Sequence, residues 1–528
     1  MSMPITRILK LVLFLFLSPV LLALQLFFVA PGTVMAQASC EAQSRITHDF
    51  ENGARWDLCW ESRLRENLVL SDVHYTAPGQ DAFKVLGSAR LSQLHVAYDD
   101  NDVTYNDVTQ FGLGGSRLLT LTQADCPNGE LLAVQTRPAL CLWQTQANNG
   151  HRTPSRSIRT DSLNLFSVSQ VGAYAYVINW TFYADGSFEP GVGATGALQR
   201  SSDNTSMPFG RILQGDPETL WLSHTHSYYW RLDFDLGSIA SDDAVSELRY
   251  DLDTQGRRAL TSKVFTTEQA RQIDPDAQQV WRIMDNIDIN ASGYQIEPVR
   301  SGHRFERKAI EPYSEFDFFV TVGNDCERFA SQNSRFNPGC LNNVLQFVDE
   351  QSVVNEDIVI WNRVSFHHTP RNEDQRQMHT HWDDFLIKPL NLHDNTSTLS
   401  NLSNTAPRFA SITGMYTQLG ELVHSDAIHA EDADGDLLSY TAVDLPPGLA
   451  MRLDGHIHGH PTTIGTFNVQ VTVRDDQSEA QATFAWRIGE GPEAERVKSG
   501  NIAIWLLGLF FLSTTLRLHC ELHCARIR

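Results

Sequence analysis

The sequence predicts an all-β protein built as a large β-rich domain, a small β-sandwich behind it and one C-terminal transmembrane helix. Three observations carry that reading. Across residues 46–392 apolar side chains recur in short alternating runs, as at 173–182 and 357–366, broken by Gly, Asn, Asp and Pro. A period of two marks strands with one buried face. Residues 406–488 have the length and turn spacing of a small sandwich. An apolar run at 502–516 is followed by Arg517, Arg526 and Arg528, basic residues on the side that stays in the cytoplasm.

Taken in order, the chain starts with Arg7 and Lys10 ahead of an apolar stretch at 11–29, then Ala36-Gln37-Ala38. That is a secretory signal over residues 1–38, with the mature chain starting at Ser39. Gln37 stands where a lipoprotein needs an aliphatic residue, which rules out lipid attachment at Cys40. The mature protein is therefore exported, periplasmic or at the cell surface, and membrane-anchored. Six cysteines (Cys40, Cys59, Cys126, Cys141, Cys326 and Cys340) face an oxidising space, and an even count suits disulfides. Sequence leaves their connectivity open; sequence-local pairing of 40 with 59, 126 with 141 and 326 with 340 is the expectation. Residues 39–392 form the large domain, and 267–284 are its best helical candidate, opened by Glu268 and divided by Pro275. A Ser/Thr/Asn-rich linker covers 393–405, the small domain 406–488, a polar linker 489–501, the anchor 502–518 and a cytoplasmic tail 519–528. A net charge of −22 over 528 residues excludes nucleic acid as a partner, since phosphate neutralisation needs a basic face.

Chemistry concentrates in a few stretches. In LSHTHSYYWRLDFDLG, His224 and His226 alternate along a strand-like segment, so both point to one face and can grip one metal ion. A third ligand must come from elsewhere in the chain. Gly112-Leu113-Gly114-Gly115 reads as a turn, and His456, His458 and His460 as surface histidines after Asp454-Gly455. Asp432, Asp434 and Asp436 alternate around a glycine turn, as ligands of a hard cation or as a solvated acidic turn.

Four ordered stretches resemble the catalytic domain of the copper-containing amine oxidases. They are YDDNDVTYNDVTQFGLGG, VGAYAYVINWTFYADGSFEPGVGATGAL, the His224 stretch and QSVVNEDIVIWNRVSFHHTPRNED, together spanning most of residues 64–389. The resemblance implies a large β-sandwich catalytic domain that usually pairs into a homodimer. It implies Cu(II) on His224, His226 and His368, the last chosen over His367 by its place before Thr-Pro-Arg. Tyr174 occupies the position of the tyrosine converted to topaquinone, Asp107 that of the catalytic base, and Tyr105 and Tyr98 those of flanking tyrosines. Asp233, Asp235 and Asp357, with the Ile358 carbonyl, match a second site for Ca2+ or a similar hard ion. Cys126 and Cys141 match a family disulfide, and His379 and His381 fall where the family has no ligand. The small domain, from EDADGDLLSY onward, resembles immunoglobulin- or cadherin-like modules of bacterial surface proteins.

The chemistry stands without the name. Neutral imidazoles suit Cu(II), a tyrosine beside it can be oxidised to an electrophilic carbonyl, and a carboxylate must take the α-proton of a small primary amine before O2 returns the electrons. The sequence departs from the family around Tyr174: Ala173 replaces Asn, Ala175 an acidic residue and Gln170 a Thr. Two functions follow: an exported amine oxidase with an altered cofactor pocket, or a catalytically silent copper-binding surface protein whose second domain binds a partner.

Overall fold

The computed structural model describes residues 38–491, apart from 101–103, 153–156, 203–208, 238, 299–308, 394–403, 426–427 and 476. The chain divides into two compact units at residues 403 and 404. The signal segment 1–37, the anchor 502–518 and the tail 519–528 lie outside the described residues, as do most of both linkers. Among the described residues no helix is long and apolar enough to cross a membrane.

The first unit consists mainly of two large antiparallel sheets, of nine and eleven strands. The strand Tyr174–Tyr183 shows why they stack. Its buried residues alternate, so Tyr174, Tyr176, Ile178, Trp180 and Phe182 all face inward. Trp180 meets Trp230 of the other sheet edge-on, with ring centroids 5.1 Å apart, and Trp56 meets Phe182 at 5.0 Å. Aromatic pairs of this kind add about 0.5–1.5 kcal/mol each beyond the area they bury.

His224–Gly237 is a central strand, paired antiparallel with Phe83–Tyr98 on one side and Ile358–His368 on the other. Nine consecutive residues, 224–232, are buried, which explains its near-continuous aromatic and apolar sequence.

The expected helix at 267–284 does not form. Gln269–Arg271 pairs with Phe318–Val322, and Val280–Asp285 is a strand of the other sheet. Glu268, read as a helix opener, instead accepts backbone N–H groups of Val322 (2.9 Å) and Asp349 (2.7 Å). Trp281 stacks flat on Phe318 at 4.1 Å. Long-range pairing and burial override local helix preference here.

Three disulfides close the sequence-local pairs Cys40–Cys59, Cys126–Cys141 and Cys326–Cys340. The second unit holds a four-stranded and a three-stranded sheet over a core that includes Trp486, Val471, Ile457 and Tyr440.

Candidate active site

The site lies where the ends of three neighbouring strands come level. Register pairs His224 with Tyr98 on one side and with His368 on the other. His226, two residues along, shares the face of His224, and both are essentially fully buried. Facing them, the other sheet offers Tyr174, whose hydroxyl is 3.0 Å from His224 Nε2. His224 Nε2 and His226 Nε2 lie 2.9 Å apart. Two nitrogens bound to one metal at about 2.0–2.1 Å and a right angle would sit about 2.9 Å apart, so this spacing fits a shared ion.

His368 lies on the adjoining strand, with its ring centroid 5.3 Å from that of His224; among the described residues the ligand atoms of the three histidines do not all come within 4.8 Å of one another. His368 Nε2 lies 3.3 Å from Asp374 Oδ2. A proton donated there would leave Nδ1 with a free lone pair. His367 faces away and pairs with Asp99 at 2.8 Å. Burial pushes His224 down to about 3 and His226 well below the usual imidazole range, so both are neutral at physiological pH. This donor set fits Cu(II), which favours imidazole nitrogen over the carboxylate oxygens preferred by Ca2+ or Mg2+.

Tyr174 is held by its neighbours. It stacks on Tyr176 at 5.9 Å and 12°, meets His224 edge-on and tilts against His226. Ala173 lines a cavity of about 390 Å3 beside the ring. Tyr98, Tyr105 and Asp107 line the same cavity, and Tyr98 lies edge-on to Tyr105 at 5.8 Å.

Asp107 opens a single helical turn, Asp107–Gln110, and is 4% exposed. Desolvation raises its carboxyl to about 7, against the opposing effects of a Tyr176 hydrogen bond and the Arg117 charge. Tyr176 Oη donates to Asp107 Oδ2 at 2.8 Å. Sequence reasoning assigned Tyr176 no role, although its spacing of two from Tyr174 places it on the same face. Asp374 carried no sequence signal.

The second acidic group also assembles. Oxygens of Asp233, Asp235 and Asp357 lie within 4.8 Å of one another. Oδ1 of Asp233 and Oδ1 of Asp357 are buried without a hydrogen-bond partner. Burial, followed by the charges of Asp233 and Asp235, raises Asp357 to about 6. Lys84 and Arg231 offset part of this charge through contacts to Asp235 (2.8 Å) and Asp233 (3.2 Å). Ile358 is buried at the start of its strand beside Asp357.

His379 is exposed, and His381, half-buried, stacks on Phe366 with ring centroids 3.4 Å apart. In the second unit Asp432 and Asp436 cluster with Asp475 instead of Asp434. The Asp434 carboxylate accepts the Thr405 N–H.

Comparison with known proteins gives the same picture. The family model "Copper amine oxidase, enzyme domain" matches residues 52–406, and "Putative Ig domain" matches 406–489. A primary amine oxidase of Pisum sativum is 24% identical over 405 residues, covering 66% of this chain and 59% of the relative. One of Klebsiella aerogenes is 24% identical over 413 residues, covering 67% and 53%. The chain thus spans less than two thirds of the length of either relative. A copper-containing benzylamine oxidase from Hansenula polymorpha shares the fold, with a TM-score of 0.58 and 18% identity over 70% of this chain and 63% of that one. The enzyme-domain model takes in more than half of the sequence, and the chain belongs to the copper amine oxidase family.

Proposed function

We propose that this protein oxidises a primary amine to an aldehyde, consuming O2 and water and releasing ammonia and hydrogen peroxide. One observation carries the reading: Tyr174 Oη converges with the His224 and His226 ring nitrogens, while Asp107 lines the cavity on which Tyr174 opens. Copper on His224, His226 and His368, with a topaquinone formed from Tyr174, would supply the electrophilic carbonyl and pass the substrate's two electrons to O2.

The chain's own residues do the rest. Asp107, raised to about 7 by burial, is poised to take the α-proton of the bound amine near neutral pH. Tyr176 occupies Oδ2 and leaves Oδ1 to receive that proton. Stacking on Tyr176 and contact with two imidazoles restrain the Tyr174 ring at a position where the sequence lacks the family's asparagine. Tyr98, whose phenol is pushed up chiefly by burial, stays protonated and can donate a hydrogen bond.

The finer parts of the reading are a signal peptide at 1–38, export with a membrane anchor at 502–518, a homodimer and a hard cation such as Ca2+ at Asp233, Asp235 and Asp357. The orphaned oxygens of Asp233 and Asp357 support the cation, because buried unpaired carboxylate oxygens are costly. The second reading is a silent copper-binding surface protein, favoured by Ala173 and Ala175.

Full-length protein loaded with copper in air decides between them. It should give a redox-cycling quinone stain and release peroxide with a primary amine, and Tyr174→Phe should do neither. Copper binding with no quinone in the wild type would establish the silent reading.

A further inference from the structure

We infer that the amine carries an anionic group at its far end, a carboxylate or sulfonate, and that Arg117 selects it. The inference rests on reading the cavity as the amine site. It starts from the segment joining Asp107 to Arg117, both of which line that cavity. The backbone N–H groups of Phe111 and Gly112 both bond to the Asp107 carbonyl, at 3.1 and 2.9 Å. Leu113 N–H then donates to the Arg65 carbonyl (2.8 Å), and Gly114 N–H to that of Leu64 (3.1 Å).

The glycine turn is what permits this seat. At Gly112, where φ is +79°, a Cβ would come 2.6 Å from the Leu64 carbonyl oxygen, and at Gly114 one would collide with that of Arg63. One short, tightly held segment therefore carries the base at one end and a cation at the other. Binding geometry set by such a seat loses little entropy when the ligand arrives.

Arg117 is half-buried, and its guanidinium carbon lies 5.8 Å from the centre of the Phe111 ring. Among the described residues it forms no ion pair. Its charge is nevertheless felt at Asp107, where it favours the carboxylate. Arg137 donates to the Gly115 carbonyl at 2.7 Å, bringing a second guanidinium to the same turn. A protein of net charge −22 thus keeps Arg117 on the wall of its amine cavity. An amine whose ammonium is directed at Asp107 has Arg117 on the wall of the same cavity, within reach of its charge. A diamine would set like charges together there, whereas an ω-amino acid would set opposite ones.

Calorimetric titration of the full-length, copper-loaded protein with N,N-dimethylated amines of matched chain length tests this, because tertiary amines cannot condense with a carbonyl as primary amines do. The probes end in carboxylate (from γ-aminobutyrate and δ-aminovalerate), methyl (from butylamine and pentylamine) or ammonium (from putrescine and cadaverine). The carboxylate probe should bind at least about tenfold tighter than the ammonium probe. Arg117→Lys should keep that order, Arg117→Gln should flatten it and Arg117→Glu should invert it. An order that is the same in wild type and Arg117→Gln, or a wild-type preference for the ammonium probe, overturns the inference. Peroxide release with the parent primary amines, run in parallel, separates the two readings. Charge-ordered binding without peroxide removes the oxidase reading alone, and peroxide without charge-ordered binding removes the Arg117 assignment alone.

Discussion

Removing the Tyr176 hydroxyl should move the working pH of this protein upward. Tyr176→Phe deletes the donor 2.8 Å from Asp107 Oδ2 and leaves the ring to stack on Tyr174 as before. Both side chains are buried, at 1% and 4% exposure, so water replaces the lost bond poorly. A hydrogen bond to an ionised group contributes about 1.5–3 kcal/mol. At 1.36 kcal/mol per pH unit, losing it should raise the acid limb of the kcat/KM profile by about one to two pH units. The sign follows from the role of the bond: it favours the carboxylate, holding Asp107 below where burial alone would put it. The assay is kcat/KM for one amine across the pH range, which reports the free enzyme's base. An acid limb that stays put or moves down would refute both the base assignment and the role of Tyr176.

Asp107→Asn should abolish peroxide release and also change how stability depends on pH. The folded protein holds the Asp107 proton up to about 7 against an ordinary 3.8, so this group's contribution is intact below 3.8 and is lost as pH rises through 7. Urea unfolding at mildly alkaline pH should therefore show the variant gaining on wild type by up to about 4 kcal/mol, with little difference in acid. His368→Ala should lose bound copper while His367→Ala keeps it, measured as metal per chain after dialysis. Asp374→Asn should weaken copper affinity about 10–100-fold without removing a ligand, read by competition with a chelator.

Much of the site was legible because strands have a period of two. His224 with His226 could be placed on one face from spacing alone, and the same rule would have found Tyr176 beside Tyr174. Asp374 could not be found this way, since it reaches His368 from a separate turn, Asn372–Asp374. The 267–284 segment misled for a related reason. Its Ala, Gln, Arg and Glu are good helix formers, yet Glu268 is satisfied by backbone groups more than 50 residues away, and Trp281 finds its stacking partner in Phe318. The acidic turn of the second unit shows it again, because Asp475 joins Asp432 and Asp436 from a different part of the chain.

Sequence by itself determined the fold class, the six-cysteine framework and the residue types of the centre, because these depend on local periodicity and on ordered motifs. Tertiary structure decided which groups share a point in space. It brought His368 level with His224 by strand register and placed Tyr174 against both histidines across the sandwich. It buried Asp107 deeply enough to raise its carboxyl to about 7 and seated Arg117 beside the same cavity. Burial and cross-sheet distance depend on every strand at once, and no stretch of sequence carries them alone.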